Sequence, residues 1–92
     1  MGLQTLTRLT DGQALHRDSL GSEQVISAGE LNLMMAGHGV SHSEEPTGHC
    51  RGTLRGKQLW VAQCDARRHG TAAFEHLDDL SYVELPGGTA TV

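Results

Sequence analysis

The sequence predicts an all-β fold, a small barrel or sandwich. Twelve glycines cut the 92 residues into short runs. Those runs are rich in Val, Ile, Leu and Thr, the composition of strands. Almost no segment repeats its apolar residues at the helical period.

Taken in order, "LQTLTRLT" (3–10) reads as a strand, and "TDG" turns it into "QALHR" (13–17). "DSLG" (18–21) is a turn by composition, because Asp and Ser favour turns and Gly21 tolerates positive φ. "EQVIS" (23–27), "LNLMM" (31–35) and "VSHSE" (40–44) follow as strands, with "AGE" and "AGHG" between them. Residues 45–56, with Pro46 and three glycines, read as a loop, and "KQLWVAQ" (57–63) as the most apolar strand. The polar segment 65–80 is expected to hold one short helical turn around Ala72–His76. "SYVEL" (81–85), the "PGG" turn and a terminal "TATV" close the chain in β.

Ninety-two residues make one domain at most, read as a single partial domain over 1–92. Aromatics are limited to Trp60, Phe74 and Tyr82, so the core must come from aliphatic residues and will be thin. A net charge of −4 without a basic patch argues against direct binding to nucleic acid. No apolar run approaches a membrane span, and the N-terminus lacks a basic-then-apolar leader, so no membrane partner is expected. The expected compartment is the cytoplasm. Cys50 and Cys64 are read as two reduced thiols; a zinc site with His49 ranks below that, for want of a C-x-x-C spacing.

The chemistry lies in "GHGVSHSEEP" (37–46). In a strand, residues i and i+2 point to one face, so His42 and Glu44 stand side by side. By spacing alone they are half of a metal site, an acid–base pair or a polar strand end. His38 shares their parity but sits between two glycines and is read as exposed, as is Glu45. For His16, a local hydrogen bond to the adjacent turn outranks metal binding. His49, His69 and His76 are expected in solvent, and Trp60 in the core. Met34 and Met35 read as gap-fillers. No nucleophile–histidine–acid triad is available: Ser41 and Ser43 flank His42 but point to the opposite face.

Three stretches in order resemble the N-terminal domain of the pirin family, within the cupin superfamily. They are "GLQTLTRLTDGQALHRDSLG" (2–21), "VISAGELNLMMAGHGVSHSEEP" (25–46) and "LRGKQLWVAQ" (54–63). The resemblance implies a cupin-like β-barrel or jelly roll, incomplete here and completed by dimerisation or strand exchange. It also implies a mononuclear metal, usually iron, held by three histidines and one glutamate. His42 and Glu44 match the third histidine and the glutamate. The family's first two ligands form a His-x-His just before the position of Gly2, where this chain has only Met1.

What the resemblance implies about function is Fe(II) or another divalent metal, in a quercetin 2,3-dioxygenase-like reaction with O2 and a small aromatic substrate. The alternatives are a non-enzymatic, metal-tuned binding or regulatory protein, or an inactive remnant without metal. With two ligands in the chain, metal binding by this chain alone is expected to be weak or absent. The expected partner is a second copy, with "LQTLTRLT" and "TATV" as the strands most free to pair.

Overall fold

A computed structural model of the chain describes residues 2–47 and 54–91. Among the described residues there are nine strands and no helix. They are β1 (Leu3–Asp11), β2 (Gln13–Asp18), β3 (Glu23–Ser27), β4 (Leu31–Met35) and β5 (His42–Pro46). After them come β6 (Arg55–Ala62), β7 (Ala73–Leu77), β8 (Tyr82–Leu85) and β9 (Gly88–Thr91). One sheet runs β6-β1-β4-β7, a second runs β3-β2-β5, and β8-β9 is a separate hairpin. All pairings are antiparallel.

The alternation of strand side chains decides what each sheet buries. Thr5, Thr7 and Leu9 of β1 are buried while Leu6 and Arg8 between them are not. Ala14 and His16 of β2, and Asn32 and Met34 of β4, repeat that period of two. The two buried faces meet where Leu9, Ala14 and Ile26 form a small aliphatic cluster. A hydrogen bond from the Gly29 N–H to the Leu9 carbonyl, 2.8 Å, ties the β3–β4 turn to β1. The core is thin, as the composition demands.

Four expectations are corrected. The helical turn at Ala72–His76 is strand β7, because β4 has an unpaired side and Phe74 falls opposite Met34 in the register that fills it. Local Ala-rich composition yields to that ladder. "LQTLTRLT" is not a free edge: β1 is paired on both sides, by β4 and β6. Trp60 is not core. It is 65% exposed, since β6 is the outermost strand of its sheet and all eight of its residues are exposed. His76 is half-buried rather than solvated, and its Nδ1 lies 2.7 Å from Asn32 Oδ1.

Strand β5 begins at His42 and extends to Pro46, and β6 begins at Arg55, so the loop is shorter than its composition suggests. His49 and Cys50, two members of the zinc alternative, lie outside the described residues; Cys64 is exposed. No helix among the described residues is long and apolar enough to cross a membrane.

Candidate metal centre

Strand β5 pairs with β2 so that His42 stands opposite Asp18 and Glu44 opposite His16. All four therefore share one face of the second sheet, the face that carries buried Ala14. Two adjoining cavities open against that face. One, of about 180 Å³, is lined by His42 together with Thr5, Met34, Gln58 and Trp60. The other, of about 220 Å³, takes Glu44 together with Thr7, Leu9, Lys57 and Gln58. His42 is exposed on its cavity, and the Glu44 side chain keeps a third of its surface open.

The bend that aims β5 depends on Gly37. Its φ is +56°, and a Cβ there would run into the Gly70 carbonyl and lie 2.7 Å from the Ala72 nitrogen. Only glycine combines that conformation with so close an approach. His38, beside Gly37, and His69, in the 65–70 turn, are both on the surface with their rings stacked 5.6 Å apart. His38 does not reach the two cavities.

His16 lines neither cavity but packs against His42 and Glu44, which do. The ring is 2% exposed, its Nε2 is 2.8 Å from Asp18 Oδ2, and its Nδ1 is 3.8 Å from Glu44 Oε1. The Phe74 ring lies flat against it, and the His42 ring stacks at 5.9 Å. The local hydrogen bond to the turn is present, since Asp18 also accepts the N–H groups of Leu20 and Ser22, each at 3.0 Å. Burial opposes the charge on Asp18, but the hydrogen bonds from His16, Ser22 and Leu20 outweigh it and hold the carboxyl below its ordinary range.

One line of polar side chains crosses the inner face of the first sheet, through the register Gln58, Thr7, Asn32, His76. Gln58 donates to Thr7 Oγ1 at 3.0 Å and accepts from Trp60 Nε1 at 3.1 Å. Asn32 is 3% exposed, and its Nδ2 has no hydrogen-bond partner among the described residues. Sequence reasoning missed Gln58 and Asn32 as site-facing residues. The signal was their even spacing from Trp60 and Met34, but which parity faces inward emerges only from strand pairing.

The model of the Pirin family matches residues 1–61 of this sequence. The chain belongs to the pirin family. A pirin-like protein of Caulobacter vibrioides is 48% identical over 92 residues, covering 95% of this chain and 32% of that protein. Among solved structures, a quercetin 2,3-dioxygenase from Acinetobacter baumannii superimposes with a TM-score of 0.90 at 43% identity, covering 99% of this pirin chain and 30% of that one. GK1651 from Geobacillus kaustophilus gives 0.82 at 28% identity, covering 98% and 36%. The chain thus spans about a third of the length of the curated relatives it matches. Its two sheets are an all-β, incomplete cupin-like barrel.

The divalent metal implied for pirins is compatible with the donors on this face. Imidazole and carboxylate suit Fe(II) and Zn(II), and both donors open onto cavities an ion can enter. Among the described residues, no group of three or more His, Cys, Asp or Glu side chains is gathered to hold an ion.

Proposed function

We propose that this chain supplies one wall of a divalent-metal centre of the quercetin 2,3-dioxygenase type, with His42 and Glu44 as ligands. The observation that carries the proposal is their shared face on β5, each opening onto a cavity between the sheets. A bound divalent ion would supply Lewis acidity and open coordination positions for O2 and an aromatic substrate. The chain's own residues do the rest. His42 and Glu44 offer lone pairs, Trp60 and Met34 give an apolar wall against which an aromatic ring excludes water, and Gln58 offers a polar edge beside it.

A metal-tuned binding protein without catalysis is the second reading. Titration of the purified 92-residue chain with Co(II) and Zn(II), followed by visible absorption and calorimetry, tests the metal assignment. Binding should be lost in His42→Ala and weakened at least tenfold in Glu44→Gln. Unchanged affinity in both variants rules out this site. Quercetin turnover with O2 uptake by the iron-loaded chain then separates enzyme from binder.

A further inference from the structure

We infer that Gln58 is the positioning residue of the proposed aromatic site: it holds the Trp60 indole in place as one wall of the His42 cavity. The inference rests on reading that cavity as the seat of an aromatic ring. It adds the side chain that gives the seat a fixed shape.

Trp60 needs support because of where it stands. Strand β6 ends its sheet, paired with β1 alone, and Trp60 is 65% exposed. A side chain that open has few neighbours to hold its rotamer, and ordering it on binding costs free energy. Gln58 lies two residues back on the same strand and therefore on the same face. Its Oε1 accepts from Trp60 Nε1 at 3.1 Å, and its Nε2 donates to Thr7 Oγ1 at 3.0 Å. The indole N–H can only donate, so the amide oxygen belongs on its side and the NH2 on the side of Thr7. One orientation of the amide satisfies both bonds.

Thr7 is a firm anchor. It stands directly opposite Gln58 in the register, is buried, and belongs to β1, which is paired on both sides. Two hydrogen bonds thus tie an edge indole to the middle of the sheet. The space beside the indole fits a flat ring. Leu3, Met34, Ala36 and Val40 supply most of the remaining lining. The volume is about 180 Å³, where about 150 Å³ is enough for benzene. Gln58 also borders the Glu44 cavity, so its amide is the polar edge between the two spaces. A wall fixed in advance meets a ring without the cost of ordering itself.

Trp60 is the only tryptophan, so its fluorescence reports on this site directly. Quenching of that fluorescence as quercetin is titrated into the purified chain gives an affinity. Time-resolved anisotropy separates motion of the indole from tumbling of the whole chain. In Gln58→Leu the fast indole motion should grow and quercetin affinity should fall about 3–10-fold, the effect of one lost hydrogen bond. Thr7→Val removes the anchor and leaves Gln58, and should move both readouts the same way. Gln58→Glu keeps an acceptor for the indole and accepts from the Thr7 hydroxyl, so it should restore both. Circular dichroism checks that each variant is folded, and Thr7→Val carries the test where Gln58→Leu does not fold. Unchanged quercetin affinity in the folded variants overturns the inference and leaves the cavity reading standing, even if the unfolding midpoint drops. No saturable quenching in the unaltered chain overturns the aromatic seat and the inference together. The metal assignment is read separately, in the Co(II) titration of His42→Ala.

Discussion

The His16 imidazole lies flat on the Phe74 ring, with centroids 4.2 Å apart and planes 8° from parallel. His16 comes from β2 and Phe74 from β7, so this contact joins the two sheets.

That stack makes Phe74 a stability determinant in a domain with few buried aliphatic side chains. Phe74→Leu keeps an apolar side chain but removes the ring contact. It should cost about 1–2 kcal/mol, combining a lost aromatic pair with a small packing defect. Urea unfolding followed by tryptophan fluorescence measures it; an unchanged midpoint would show that the sheets are held together elsewhere.

Asp18 predicts an acid dependence. Its carboxyl sits below the ordinary value of 3.8 in the folded chain, so protons bind more readily to the unfolded one. The stability it contributes is complete above the unfolded value. It fades as pH falls below about 3.8 through the lower folded value. Asp18→Asn should therefore be less stable than the unaltered chain at neutral pH and should narrow that difference in acid. Thermal melts from pH 6 down to pH 2 test this, and parallel curves would remove Asp18 as the source.

Gly37→Ala should misplace β5. The new Cβ meets backbone atoms of Gly70 and Ala72 in a left-handed conformation, and neither neighbour is a flexible side-chain end. A loss of about 2 kcal/mol or more is expected, together with weaker Co(II) binding, because His42 lies five residues along. Gly21, also at positive φ but with open space around its Cβ position, should lose only the conformational part when changed to Ala. Equal losses at the two sites would dismiss the close contact as a cause.

Self-association should run through β6. Leu59, Trp60 and Val61 are 61%, 65% and 42% exposed on a strand paired along one side only. An unpaired, apolar edge invites another strand. Sedimentation at micromolar concentration should show dimers or larger species, and Leu59→Lys should shift them toward monomer. A compact monomer at that concentration would mean the edge is tolerated as it stands.

The sequence alone determined the β class, most strand positions and the pairing of His42 with Glu44 on one face. Those features depend on neighbours in the chain: glycine at turns, β-favouring runs and a side-chain period of two. Tertiary structure decided the rest. "AAFEH" becomes a strand because β4 needs a partner, and Trp60 is exposed because β6 ends its sheet. His16 reaches Glu44 because the two stand opposite each other across the β2–β5 ladder, 28 residues apart in the chain. Such contacts follow from strand order and register, which are set by how distant segments share backbone hydrogen bonds and bury one common face.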